Sequence, residues 1–268
     1  MAARELNRDM LQHIEIERQY PGKINLVQLT DMHISADENE LLAGVNTTVT
    51  LLKVISEVQR HEDADLMLLT GDLAETPSVD TYKKLAELLQ QVKLPVYCLP
   101  GNHDDPQLMQ RLLNTGNVAT SNFLTCGNWS IILLNTHNPG EHGGYLFATE
   151  LSGLDAALQR SRDRHVLICL HHQPVNIHSP WMDRMALKNG EALFQVLDRH
   201  NNVRGIIWGH IHQEFTTTRN GVLLLGSPST CIQFRPRSEE AGVDSKPPAY
   251  RTLTLTETGQ IQTRVHWL

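Results

Sequence analysis

Five short blocks of metal-binding side chains, each set behind an apolar run, constrain this chain more than any other feature. They are Asp31-Met32-His33, Gly71-Asp72, Gly101-Asn102-His103-Asp104, His171-His172 and Gly209-His210-Ile211-His212. Their donors are carboxylate, amide and imidazole, with no thiolate. Such a mixture suits two hard or borderline cations better than a structural zinc knuckle. Ligands in open α/β sheets gather beyond the carboxyl ends of strands, and each block sits where an apolar strand ends. Two ions with an open face imply in-line displacement at a phosphorus or carbonyl centre, so the residues read as a binuclear metallohydrolase.

Strand-length apolar runs cover residues 24–30, 65–70, 95–99, 130–135, 165–170 and 204–208. Helical patterns alternate with them. Residues 45–60 set Val45, Val49, Leu52, Ile55 and Val58 at helical spacing. Thr76-Pro77 reads as the cap and first turn of a helix reaching about Gln91. Weaker helices fit residues 106–114, 150–160 and 189–200. This alternation predicts a largely parallel sheet with helices outside. After residue 212 the pattern changes to a hairpin around Asn220-Gly221, with further strands at 231–234, 250–255 and 261–267. A second sheet is therefore expected from the C-terminal part, with residues 236–249 as a surface loop. The whole chain, residues 1–268, reads as a single domain.

Strand geometry suggests how the blocks divide their work. In extended chain, residues i and i+2 point the same way while neighbours diverge. Asp31 with His33, and His210 with His212, can then face a common centre. Asn102 and His103 should point apart, and His171 and His172 should not both be ligands. Glu75 reads either as support for the metal site or as a solvated carboxylate at a helix start. Trp181 reads better as a packed tryptophan than as a stacking platform. His137 and His142 sit in a polar, glycine-containing loop, residues 135–144, that reads better as ordinary surface than as a border of the pocket.

D-x-H, G-D, G-N-H-D, H-H-x-P and G-H-x-H, in this order, resemble the calcineurin-like metallophosphoesterases. The motifs span residues 31–212, about two-thirds of the chain. Residues 42–47 (LAGVNT) and 229–234 (STCIQF) extend the likeness to the bacterial class III 3′,5′-cyclic-AMP phosphodiesterases. The resemblance implies an α/β, four-layer αββα sandwich with two mixed β-sheets. It implies two divalent or trivalent ions (iron, manganese or zinc), with Asp31, His33 and His212 on one and Asn102, His171 and His210 on the other. Asp72 would bridge them. The implied reaction is hydrolysis of 3′,5′-cyclic AMP to 5′-AMP by metal-bound hydroxide, lowering a second messenger. His103 would act as the acid, with Asp104 orienting it, and His33, Asp72, Asn102, His103 and His212 would line the phosphate site.

The family's protein phosphatases carry G-D-x-x-D-R-G and G-N-H-E. This chain has Gly71-Asp72-Leu73-Ala74-Glu75-Thr76 and Gly101-Asn102-His103-Asp104, without that arginine. The alternative is a broader phosphodiesterase, acting on glycerophosphodiesters or 2′,3′-cyclic nucleotides. A non-enzymatic scaffold should have lost ligands, whereas every position here is filled.

Composition sets the partners. Net charge is −7 with no long basic run, which argues against nucleic acid as the main partner. An acidic protein repels phosphate, so the ions are needed. Two M²⁺ against two carboxylates and a hydroxide leave roughly +1. The resemblance implies a small cyclic nucleotide as partner; composition adds that neither nucleic acid nor membrane is expected, and monomer and homodimer are both allowed. The first 23 residues lack an apolar signal core, no run approaches membrane-span length, and the four cysteines form no C-x-x-C. A reduced cytoplasmic protein is expected.

Overall fold

Alternation along single strands divides the molecule into layers. The computed structural model describes residues 13–268 apart from 18, 20 and 62. The expectation of a polar, leaderless start falls largely on residues 1–12, outside the described residues. In chain order come β1 (His13–Ile16), β2 (Lys23–Leu29), α1 (Thr47–His61), β3 (Leu66–Thr70), α2 (Val79–Leu89), β4 (Val96–Leu99) and α3 (Pro106–Leu112). Then follow β5 (Val118–Ala119), β6 (Phe123–Cys126), β7 (Trp129–Leu133), α4 (Ala148–Arg160), β8 (His165–Cys169), α5 (Pro180–Asp183), α6 (Gly190–Leu197) and β9 (Val203–Trp208). The chain ends with β10 (Phe215–Arg219), β11 (Val222–Gly226), β12 (Gln233–Phe234), β13 (Val243–Asp244), β14 (Ala249–Thr256) and β15 (Ile261–Trp267).

Among the described residues these strands form two large mixed sheets. One runs β1-β6-β7-β8-β9-β11-β10, with β7, β8, β9 and β11 parallel. The other runs β15-β14-β2-β3-β4-β5, with β2 to β5 parallel. On β2, Ile24 and Leu26 enter the core between the sheets, while Val27 and Leu29 pack under α1 and α2. Leu66 and Leu68 oppose Met67 and Leu69 in the same way. Across the gap, Leu167 and Cys169 face inward and Val166 and Ile168 face α4 and α6. Strands buried on both faces read as continuous apolar runs, and three apolar layers make a four-layer αββα sandwich.

Several local expectations shift. The second sheet is not a C-terminal addition: β10 and β11 extend the sheet of β7 to β9, while β14 and β15 extend that of β2 to β5. Each sheet thus draws strands from distant parts of the chain. The short strands β1, β5 and β6 carry too few residues for a clear period. The α2 cap is Ser78, whose hydroxyl accepts from the Thr81 amide at 3.1 Å, rather than Thr76. On α1 the buried stripe is Leu51, Val54, Ile55 and Val58. Val45 precedes the helix, and Val49 and Leu52 line a groove beside Trp267 instead.

A buried cation ties the two sheets together. Arg251 on β14 donates to Ser227 Oγ at 2.8 Å, to the Gly226 carbonyl at 2.8 Å and to Thr263 Oγ1 at 3.0 Å. Burial pushes its pKa down to about 10, which leaves it charged at neutral pH. Ser227 donates onward to Gln28 at 2.6 Å, and Gln28 to Thr70 Oγ1 at 2.8 Å and to the Trp208 carbonyl at 3.2 Å. Removing the guanidinium strands several buried acceptors, each at about 1–3 kcal/mol. Arg251→Ala should therefore lower unfolding free energy by about 3 kcal/mol in a urea titration; an unchanged midpoint would contradict the staple.

Candidate metal centre

The five blocks follow β2, β3, β4, β8 and β9 at their carboxyl ends. Asp31, His33, Asp72, Asn102 and His103 come from one sheet; His171, His210 and His212 come from the other. The cluster therefore exists only where the sheets meet.

Strand alternation is not what orients these residues. Asp31, His33, Asp72, His210 and His212 have φ of 52°, 45°, 50°, 65° and 45°, in the left-handed region. Such backbone costs about 1–3 kcal/mol per residue and persists where neighbours over-determine it. The neighbours here are ladder-like: Asp31 N–H donates to the Gly71 carbonyl at 3.0 Å and His33 N–H to the Asp72 carbonyl at 3.0 Å. The motif glycines answer a close approach. A methyl group on Gly101 would overlap Asp72 Oδ1, and one on Gly209 would overlap Thr30 and Asp31.

Each imidazole has its outer nitrogen fixed, and that fixes which lone pair is bare. A carbonyl only accepts, so the nitrogen beside it carries the hydrogen. His212 Nδ1 donates to the Ile232 carbonyl at 2.8 Å, His171 Nδ1 to the Thr70 carbonyl at 2.8 Å and His210 Nε2 to the Met185 carbonyl at 3.1 Å. His33 Nδ1 lies 2.7 Å from Glu75 Oε2. This leaves His33 Nε2 and His212 Nε2 facing each other at 3.3 Å. Facing lone pairs repel unless a cation lies beside them. Two nitrogens held about 2.1 Å from one ion are separated by about 3.4 Å in tetrahedral geometry, so the donor pair fits a metal.

Asp31 Oδ1 completes that group, 3.3 Å from His212 Nε2. On the other side His171 Nε2 is 3.2 Å from Asn102 Oδ1 and 3.2 Å from Asp72 Oδ2. Asp72 Oδ2 also lies 3.8 Å from His33 Nε2, so it stands between the two groups. Its other oxygen accepts the His103 N–H at 2.9 Å. His172 is near His171 and His210, but its Nε2 donates to the His142 carbonyl at 3.1 Å and its Nδ1 accepts from Thr136 Oγ1 at 2.7 Å. It has no bare nitrogen to offer.

Electrostatics follow from this crowding. Burial works to raise the Asp72 carboxyl, yet the charge and hydrogen bond of His171, with His33 and His103, hold it well below the usual range. Asp31 is likewise lowered against burial, by His212 and His171. Burial and the His171 charge push His210 down to about 3, so it is neutral and able to donate a lone pair. His171 rises to about 9 against burial because Asp72 and Asp31 adjoin it, so its Nε2 carries a proton towards Asp72 that a bound cation would displace.

Two roles differ from expectation. Asp104 does not orient His103: it is buried and accepts from the amides of Leu73 (3.1 Å), Ala74 (3.1 Å) and Gly101 (2.9 Å) and from the Tyr82 hydroxyl (3.0 Å). It fastens the loops that carry Asp72 and Asn102. His103 is held by Glu75, whose carbonyl accepts from its Nδ1 at 2.9 Å. Asn102 and His103 do serve opposite ends of the cluster, Asn102 beside His171 and His103 edge-on to His33 at 4.8 Å. Trp181 packs edge-on against Phe234, which in turn stacks on His212 at 4.2 Å. His137 and His142 border a cavity of about 810 Å³ that opens beside Asn102 and His103. Their polar, glycine-containing loop, read above more as surface than as pocket border, thus lines the cavity.

Metal-donor groups at the strand ends of a four-layer αββα sandwich define a metallophosphoesterase architecture. The family model for calcineurin-like phosphoesterase matches residues 24–214, and the chain belongs to that family. It is 39% identical over 90% of its length to a 3′,5′-cyclic-nucleotide phosphodiesterase of Nostoc, covering 91% of that protein. It is also 39% identical over 91% of its length to the 3′,5′-cyclic adenosine monophosphate phosphodiesterase CpdA of Pseudomonas aeruginosa, covering 90% of it. In fold it is similar to a dimetal phosphatase from Danio rerio, at a TM-score of 0.59 and 17% identity, over 91% of this chain and 98% of that one.

A carboxylate behind a liganding imidazole commonly contributes 10–100-fold in metal affinity. Glu75→Ala should weaken metal binding by about that factor in a chelator competition titration; an unchanged affinity would mean the contact to His33 is incidental.

Proposed function

We propose that this protein hydrolyses 3′,5′-cyclic AMP to 5′-AMP at a binuclear metal centre. The observation that carries this reading is the position of Asp72 Oδ2, 3.2 Å from His171 Nε2 and 3.8 Å from His33 Nε2, shared by two donor groups. The nucleotide class rests on the relatives named above. Asp31, His33 and His212 would hold one ion, Asn102, His171 and His210 the other, and Asp72 would bridge them. The donor set accommodates iron, manganese or zinc. Bound there, two such ions supply a nucleophile from water at neutral pH and neutralise charge on the phosphoryl oxygens.

The chain's own residues do the rest. The donor atoms fix where the phosphodiester sits, beside His33, Asp72, Asn102, His103 and His212. The water oxygen bonds to phosphorus from the side opposite the 3′-oxygen, and the P–O3′ bond breaks. His103 is the donor for the departing oxygen: Glu75 holds its Nδ1 hydrogen, which leaves Nε2 as the atom that gives up a proton. Asp104 and Tyr82 keep the Asp72 and Asn102 loops in register and touch no reacting atom.

We read residues 1–268 as one domain, because both sheets take strands from each half of the chain. The four cysteines are buried free thiols, which supports a reducing, cytoplasmic setting. No described helix is long and apolar enough to cross a membrane.

Metal-loaded protein should convert cyclic AMP to 5′-AMP; turnover confined to phosphoproteins or DNA would overturn the assignment. Asp72→Ala should abolish turnover and loosen both ions. His103→Ala should cut kcat by about 10²–10⁴-fold while metal analysis still finds two ions per chain. Loss of metal from that variant would mean acid and ligand have been confused.

A further inference from the structure

The cavity beside the metal centre is lined by groups of contrasting chemistry. Among them are Asn102 and His103. His137, also in the lining, donates its Nδ1 hydrogen to the Gly101 carbonyl at 3.0 Å. The same lining includes the first turn of α4, with Phe147 and Glu150, neither of which belongs to the metal-donor groups. At about 810 Å³ the space lies within the range of small-molecule sites, about 300–1,000 Å³.

Phe147 is out of place by every local rule. It occupies the N-cap of α4 with no side-chain cap bond, where Ser, Thr, Asp or Asn is favoured. Its side chain is 46% exposed, and its ring contact is Tyr145, itself 38% exposed, edge-on at 5.1 Å. Neither capping nor core packing accounts for it. Residues that break local preference without a stabilising return cluster at functional sites. A flat apolar ring at the wall of a catalytic cavity suits a planar heterocycle, with base–aromatic stacking contributing about 1–3 kcal/mol.

Glu150 supplies a second, independent observation. Its Oε2 accepts the Asn135 N–H at 3.2 Å, and its other oxygen has no partner among the described residues. A carboxylate here repels phosphate and so directs the anionic end of a substrate towards the metals. It also offers an acceptor to an amine. Adenine presents an N6 amine where guanine presents the O6 acceptor, so a carboxylate at that spot favours the former.

We propose that Phe147 and Glu150 form the base-recognition subsite of this cavity, Phe147 stacking on the purine and Glu150 accepting from the exocyclic amine of adenine. The inference rests on the cyclic-nucleotide reading above. It selects adenine over guanine without any contact from the metal-binding blocks, which explains why those blocks alone leave the base open.

Kinetics on metal-loaded full-length protein test it, using cyclic AMP, cyclic GMP and a base-less analogue, methyl riboside 3′,5′-cyclic phosphate. Phe147→Ala should lower the ratio of kcat/KM for cyclic AMP over the base-less analogue by about 5- to 100-fold, through KM; Phe147→Tyr should restore it. Glu150→Gln should narrow the preference for cyclic AMP over cyclic GMP by about tenfold, since an amide can also donate to O6. Ratios unchanged in folded variants carrying two ions would overturn the subsite. Wild-type protein inactive on every cyclic nucleotide would instead overturn the functional reading beneath it.

Discussion

The structure depends on bringing bare nitrogen and carboxylate lone pairs into a dry junction between two sheets. Asp31 and Asp72 are buried, and the Nε2 atoms of His33 and His212 stand 3.3 Å apart. Gathering like donors in low dielectric is unfavourable unless cations answer them. Much of the surrounding architecture holds them in place. Backbone carbonyls of Thr70, Met185 and Ile232 fix the outer imidazole hydrogens, and left-handed backbone at five positions aims the side chains. Arg251 and its string of partners fasten the two sheets beneath them. The string ends at Thr70, whose carbonyl holds His171. Sheet packing and donor geometry are therefore one problem with one solution.

The metal-binding blocks were legible because each chemistry-bearing residue sits at the end of an apolar strand, and apolar strands are the strongest sequence signal. The same runs gave strand alternating with helix, while the four-layer sandwich of two mixed sheets came from the family resemblance that the blocks carry. What did not transfer was the reasoning about direction. Alternation assumes extended backbone, and Asp31, His33, Asp72, His210 and His212 have left it. The pairings expected of i and i+2 neighbours therefore had the wrong cause. The allotment of β10, β11, β14 and β15 between the sheets was also hidden, since pairing partners lie up to about 230 residues apart, as in Thr254 with Asn25. Asp104 misled for a different reason. A carboxylate next to a histidine in sequence looks like its orienting partner, whereas the partner in space is Glu75, 28 residues earlier.

Function divides along the same line between local and distant. On the proposed function, phosphate chemistry would fall to strand-end residues that a motif can capture. Base selection, on the proposal above, would fall to the cavity wall, where Phe147 at a helix start and Glu150 one turn on share a lining with His103 only through folding. On the proposed reading, an acidic chain could serve an anionic substrate because bound ions would bring the positive charge it needs.

The central claim is that two ions share Asp72. Anomalous diffraction from crystals grown with Mn²⁺ tests it most directly. The account predicts two peaks about 3.5–4 Å apart. One should lie among Asp31, His33 and His212, the other among Asn102, His171 and His210, with Asp72 between them. A single peak, or a peak bound by His172 in place of His171, would contradict it.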